Sequence, residues 1–260
     1  MEQRLVFVKL GGSLITDKSK PYTARPEVIA RAAAELHRAK ADAGLSLLVG
    51  HGGGSFPHVS AAEYRIHEGA CDARGWEGFA RVQADASRLN RLVVAALLDA
   101  GEPAVSLQPS AACTARHGRL QRWDGRAPER CLEQGLLPVP YGDVCFDEAR
   151  GCCILSTEEL FRYLAPRLKP ALIVMAGKTD GVLDAEGNTI PEVKAADLER
   201  LRHSLFASDG VADVTGGMLH KVEKALETGV ETLILNGLRP GELEKALLGR
   251  SVAGTRITRA

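Results

Sequence analysis

The sequence predicts an α/β fold: an open three-layer αβα sandwich around a mostly parallel central sheet. Three observations carry this. Short apolar runs of strand length recur along the 260 residues, and most are continuous, as in strands covered on both faces. Segments with helical spacing lie between them. Glycine-rich stretches follow some of the runs directly, at the carboxyl ends of strands where such sheets bind ligands.

The first run, Leu5 to Leu10, leads into Lys9-Leu10-Gly11-Gly12-Ser13. Val28, Ala32 and Leu36 then recur at helical steps and stop before Gly44. Leu45 to Val49 is the second strand, and it enters His51-Gly52-Gly53-Gly54-Ser55-Phe56-Pro57-His58. Trp76, Phe79, Val82 and Ala86 have helical spacing, as do Leu89, Val93 and Leu97 before Gly101. Ala104 to Leu107 and Leu136 to Val139 read as strands. Val144 to Phe146 and Cys152 to Leu155 flank a turn-like Asp147-Glu148-Ala149-Arg150-Gly151 as a hairpin would. Ala171 to Met175 and Glu231 to Leu235 are further strands, and between them Asp213-Val214-Thr215-Gly216-Gly217-Met218 opens a helical stretch to about Glu227. No Pro- or Ser-rich linker and no repeat interrupts the chain, so residues 1–150 and 151–260 are expected to share one sheet across a soft boundary.

Thirty-three Lys and Arg balance thirty-three Asp and Glu, which excludes a global basic field for nucleic acid. No apolar run approaches the roughly 20 residues of a membrane span, and Met1 to Leu10 is too short for a signal peptide, so a cytoplasmic location is expected. Six cysteines without a Cys-x-x-Cys pair read as free, mostly buried thiols rather than a zinc site or a disulfide framework. No metal-ligand set is predicted.

Lys9 and Lys18 flank a glycine turn whose backbone N–H groups can approach an anion, which makes phosphate the natural guest; an ordinary strand-ending turn is the plainer alternative. Three successive glycines at 52–54 cost about 1 kcal/mol each relative to alanine, so a close approach by another group is the better reason for them. His58 could donate to a phosphate oxygen or serve structurally. Ala176-Gly177-Lys178-Thr179 lacks the first glycine of a Walker motif, and no Gly-x-Gly-x-x-Gly follows the second strand. Gly216-Gly217 opens a helix toward a phosphate, with Lys221 one turn inside on the face of Gly217, or is an ordinary helix start capped by Asp213 or Thr215. Asp180-Gly181 is a turn, or a floor under a nucleotide base.

In this order the segments resemble the amino-acid-kinase superfamily and, within it, the isopentenyl phosphate kinase family. Lys9-Leu10-Gly11-Gly12-Ser13, Lys18 and the triple glycine are superfamily-wide. His58, Gln108-Pro109-Ser110 and Asp213-Val214-Thr215-Gly216-Gly217-Met218 point to the narrower branch. The resemblance implies transfer of the γ-phosphoryl group of ATP to isopentenyl phosphate, a small-molecule substrate, with Mg2+ held by phosphates and water, in a homodimer without nucleic-acid or membrane partners. By similarity, Lys9, Lys18, His58 and Lys221 are the catalytic set. ATP would be seated by Lys9, Gly11, Gly12, Ser13, Gly54, Lys178, Asp180, Gly181, Gly217 and Lys221, chiefly in the C-terminal half. The N-terminal half would supply the acceptor pocket, with Gly53, His58 and Thr157 toward the phosphate; the helical stripe of Trp76, Phe79, Val82 and Ala86 either walls the isoprenoid tail or is a plain core-facing helix. Rival readings are another small-molecule kinase of the superfamily, such as a fosfomycin-type enzyme, or a nucleotide-binding sensor or storage protein. Three departures stand out: Ser156-Thr157-Glu158-Glu159 where the family reads Ser-Gly-Asp-Asp, with Glu159 expected to orient the lysines; Pro57 in place of glycine; and Gly177-Lys178 in place of Thr-Asp.

Overall fold

The computed structural model describes residues 3–259 except 71, 124–125, 185, 200 and 203–216. The Asp213-Val214-Thr215-Gly216 part of the helix-opening motif therefore lies outside the described residues. Strand β1 (Leu5–Leu10) leads into a single helical turn, α1 (Gly12–Ile15), and then α2 (Pro26–Ala43). Pro26 stands in the first turn of α2, where its missing N–H costs nothing, and Gly44 ends it at φ 59°. Next come β2 (Ser46–His51), α3 (Pro57–Glu63) and the long α4 (Ala73–Asp99), capped by Asp72, which accepts from the Gly75 N–H at 2.7 Å. Then follow β3 (Ala104–Leu107), α5 (Pro109–Ala112), β4 (Cys113–Arg116), β5 (Arg119–Trp123), α6 (Ala127–Glu133), β6 (Leu137–Pro140), β7 (Asp143–Asp147) and β8 (Gly151–Leu155). The chain continues through α7 (Thr157–Leu168), β9 (Leu172–Gly177), β10 (Val182–Leu183), β11 (Thr189–Ile190), β12 (Glu192–Lys194), α8 (Gly217–Thr228), β13 (Thr232–Asn236), α9 (Glu242–Leu247) and β14 (Gly254–Thr258).

The main sheet has the order β12-β14-β13-β9-β1-β2, and only the β13–β14 pairing is antiparallel. Strand β1 is internal, pairing in parallel with β2 and β9, so that Lys9 lies between Gly50 and Met175. A bridge from His51 to Tyr141 sets β6 beside β2, and β6 pairs with β3. A second sheet, β5-β4-β7-β8, contains the β7–β8 hairpin expected from the sequence. The position 150/151 falls in the turn of that hairpin.

Strand β1 shows why its apolar run is continuous. Val6, Val8 and Leu10 join a cluster that includes Leu36 and Val93 from the helices α2 and α4, while Phe7 joins the cluster on the other face with Phe161 of α7. Both faces are covered, so every second residue cannot be polar. Cys113, Cys131, Cys145, Cys152 and Cys153 are buried thiols in no disulfide, as expected; Cys71 lies outside the described residues. No helix among the described residues is long and apolar enough to cross a membrane.

One cap is borrowed across the chain. Helix α9 has no side-chain cap of its own, and Glu35 on α2 accepts from the N–H groups of Gly241 at 2.9 Å and Glu244 at 3.2 Å. Arg31, one turn earlier, donates to the Gly237 carbonyl at 2.7 Å. The loop after β13 is thereby tied to α2.

Candidate active site

The carboxyl ends of β1, β2 and β9 open on a cavity of about 790 Å3. It is lined by Lys9, Lys18 and Lys221, by Gly11 to Ser13, by Gly52 to Gly54, and by His58, Thr157, Lys178 and Gly217. Residues from both ends of the chain thus meet at one place.

Two glycine turns make the floor, and they touch backbone to backbone. A Cβ on Gly12 would lie 2.3 Å from the Gly54 nitrogen, and one on Gly52 would lie 2.8 Å from the Gly12 nitrogen. Gly54 is at φ 56°, and a Cβ there would meet Thr16 Oγ1 at 2.2 Å. Two turns this close admit no side chain; the Gly11 and Gly52 N–H groups donate to the Ala176 and Leu10 carbonyls at 2.8 and 3.0 Å, which leaves those of Gly12, Ser13, Gly53 and Gly54 to meet an anion. Pro57 is accommodated at the start of α3, where proline is favoured, and its ring packs on Gly53.

The charge arrangement centres on Glu158. Its carboxylate bonds Lys9 Nζ, and both groups are buried. Burial works to raise the Glu158 pKa, but the Lys9 ammonium, by charge and hydrogen bond, and Lys221 by charge hold it below the usual carboxylate range. Glu158 is therefore the carboxylate between the two lysines. This corrects the expectation for Glu159, whose Oε1 accepts from the Leu120 N–H at 2.9 Å and from Arg162, while its Oε2 pairs with Lys224 at 2.9 Å. The reason is local. Ser156 caps α7 by accepting from the Glu159 N–H, so Glu158 and Glu159 are successive first-turn residues, about 100° apart around the helix, and only one can face β1.

Other expected residues fall partly outside the cavity wall. Val82 lines it and is buried, but Trp76 is 41% exposed and makes tilted ring contacts with Phe79 and Phe146, which stack on each other. Three-residue steps lag a helical turn, which carries Trp76 about 120° around α4 from Val82. The apolar part of the cavity wall is made by Val82 with Ala61 of α3 and Ile154 of β8, and Phe79 packs on the same small apolar cluster behind it. Asp180 accepts from Asn236 Nδ2 at 3.0 Å and pairs with Arg239, and Gly181 packs at φ 122° against Thr255. They brace the loop that carries Lys178 rather than line the cavity. The Thr157 hydroxyl donates to the His51 carbonyl at 2.6 Å, at the edge of the glycine turn.

Glu158 and Asp143 are cavity residues that the sequence reading did not single out. Burial pushes the Asp143 pKa up to about 6 against donors from Ser110 and Val144. Asp143 did carry a signal, the Gly142-Asp143-Val144 segment after a strand. Among the described residues no group of three or more His, Cys, Asp and Glu side chains could hold a metal ion.

The profile described as the amino acid kinase family matches residues 4–232. The isopentenyl phosphate kinase of Methanothermobacter thermautotrophicus is 39% identical over 267 residues, spanning 98% of this chain and 99% of that protein. The isopentenyl phosphate kinase of Methanocaldococcus jannaschii is 33% identical over 260 residues, spanning 97% and 98%. An X-ray structure of an isopentenyl phosphate kinase superposes with a TM-score of 0.82 at 33% identity, covering 97% of this chain and 100% of that one.

Proposed function

The chain belongs to the amino acid kinase family, and from that premise we propose that it transfers the γ-phosphoryl group of ATP to isopentenyl phosphate, giving isopentenyl diphosphate and ADP in isoprenoid biosynthesis. The observation that carries this is a single cavity that joins a lysine- and glycine-lined floor to the apolar patch of Ala61, Val82 and Ile154. A phosphate acceptor is already ionised, so the protein needs positioning and charge neutralisation more than a strong base. Lys9 and Lys221 hold the donor phosphates, Lys18 neutralises the group in transit, and Gly11 to Ser13 with Gly54 line its path, with Gly12, Ser13 and Gly54 offering N–H groups while the Gly11 N–H is held by the Ala176 carbonyl at 2.8 Å. Lys178 and Gly217 complete the nucleotide seat, whose loop Asp180 and Gly181 stiffen. His58 and Gly53 grip the acceptor phosphate.

Magnesium would supply charge neutralisation on the donor phosphates, held by those phosphates and water, the ligands it characteristically keeps. No residue of this chain is assigned to it. A small polar acceptor of the fosfomycin type would leave the Ala61, Val82 and Ile154 patch uncovered, which favours a prenyl tail. The reading includes a cytoplasmic homodimer.

The test is an assay with ATP, magnesium and isopentenyl phosphate, following ADP and the diphosphate. Lys18→Ala should mainly lower kcat, and His58→Ala should mainly raise KM for the acceptor. A purified protein that forms no diphosphate overturns the proposal.

A further inference from the structure

Beneath the glycine turn lies a buried polar chain that has no part in the transfer as described above. Ser106 Oγ lies 2.5 Å from Asn90 Oδ1, and Asn90 Nδ2 lies 3.1 Å from His51 Nε2. On the other side of the ring, His51 Nδ1 lies 3.1 Å from the carbonyl oxygen of Gly52. His51 and Asn90 are each 1% exposed, and the imidazole stacks on Tyr141 with centroids 5.5 Å apart and planes 4° from parallel.

The hydrogens along this chain follow from one end. A carbonyl oxygen only accepts, so Nδ1 carries the hydrogen. Burial pushes the imidazole pKa down to about 4 against its bond to Gly52, with Lys9 adding to the depression, so the ring is neutral at pH 7. Nε2 is then an acceptor, Asn90 donates to it, and Ser106 donates to Asn90.

Peptide planarity carries the consequence to Gly53. In a trans peptide the C=O and the following N–H point in opposite directions. With the Gly52 carbonyl turned toward the imidazole, the Gly53 N–H turns away from it, and Gly52, Gly53 and Gly142 all line the cavity. A Cβ built on Gly142 would stand 3.6 Å from the Gly53 nitrogen. The strand end beneath is fixed as well, because the His51 carbonyl accepts from the Gly142 N–H at 2.9 Å and from the Thr157 hydroxyl at 2.6 Å.

We propose that His51 is a positioning residue: its Nδ1–H holds the Gly52 carbonyl inward, so that the Gly53 N–H is presented to the acceptor's phosphate. This rests on the acceptor reading given above. Glycine peptides have no Cβ to resist a flip, so the imidazole supplies a constraint the loop lacks. A lost N–H contact to a phosphate is a lost charge-assisted hydrogen bond.

Two substitutions separate this role from packing. His51→Phe keeps an aromatic ring to stack on Tyr141 and removes the donor; His51→Asn gives up the ring and keeps an N–H near the Nδ1 position. His51→Phe should raise KM for isopentenyl phosphate about tenfold and leave KM for ATP within about twofold, and His51→Asn should recover most of that loss. Equal rises in both KM values, or an Asn variant no better than Phe, would assign His51 to packing alone. Should both variants fail to fold, Ser106→Ala cuts only the far end of the chain and should give a smaller rise in the acceptor KM; no rise would count against the proposal. Imidazole 15N spectra of the unaltered protein provide a readout apart from turnover. They should show a protonated Nδ1 and a bare Nε2 that do not titrate between about pH 5 and 8. The opposite tautomer would overturn the proposal in an active enzyme. If the unaltered protein shows the expected tautomer yet leaves isopentenyl phosphate untouched, the acceptor reading fails and takes the role of Gly53 with it.

Discussion

Replacing Glu158 by Gln keeps the shape of the side chain and removes one negative charge from between Lys9 and Lys221. Side-chain exposure is 9% at Lys9 and 4% at Glu158, so water cannot stand in for the lost charge. Breaking a buried pair of this kind costs about 3–5 kcal/mol, and urea unfolding of the ligand-free variant should show a loss of that size. Nucleotide phosphates bring negative charge to the same two lysines. A non-hydrolysable ATP analogue should therefore raise Tm more in Glu158→Gln than in the unaltered protein, because ligand that compensates the native state alone shifts the folding equilibrium. Turnover should nevertheless fall by about 100-fold or more, since lysines without their carboxylate are no longer held where charge develops. The paired measurements are urea unfolding with and without the analogue and steady-state kinetics. Wild-type kcat, or a stability loss that the analogue leaves untouched, would refute this account of the site.

Glu159→Gln makes the contrast: it weakens contacts to Lys224 and Arg162, so stability should fall by about 1–3 kcal/mol with kcat changed less than about threefold. A kcat loss matching that of Glu158→Gln would restore Glu159 to the site. Gly12→Ala would drive a Cβ to 2.3 Å from the Gly54 nitrogen, which is backbone on both sides, so a destabilisation of about 1–3 kcal/mol and a steep loss of kcat should appear together. Full activity in that variant would mean that the turns separate freely. Stability should also depend on pH through His51, whose folded pKa of about 4 lies below the ordinary 6.5. The unfolded chain binds this proton first as pH falls, so stability is lost from about pH 6.5 down to 4, by about 3 kcal/mol. Asp143, raised from 3.8 to about 6, has the opposite sign, its contribution being lost as pH rises through that range. It is present in both proteins and cancels when the unaltered protein is compared with His51→Phe. Parallel stability curves for the two would contradict the buried neutral imidazole.

Strands covered on both faces were the legible part of the fold, because burial writes an apolar run that nothing else needs: β1, β2 and β9 all lie where such runs stand. Strand β5 was not legible. Its Arg119-Leu120-Gln121-Arg122-Trp123 buries only Leu120 and Trp123, with two exposed residues between them at a register shift, on the edge of the second sheet, and reads as a charged loop. Strand β14, Gly254 to Thr258, is alternating and begins on a glycine. In the site, glycines and lysines were visible because turns and phosphate chemistry restrict residue type. The choice between Glu158 and Glu159 was not, since adjacent carboxylates look alike until a helix start sets their directions. Trp76 was misplaced for a related reason: spacing alone does not say where a helical stripe drifts off the buried face.

The position of β1 bears on how the chain can be divided. It fills the slot between β2 and β9, and α9, only six residues long, relies on Glu35 to satisfy its leading amides. Cutting the gene at the β7–β8 turn would leave one product with a bare strand edge along β1 and the other with a matching edge along β9, and would strip the last helix of its distant carboxylate. Such pieces are expected to precipitate when expressed singly and to regain a shared fold only when made together.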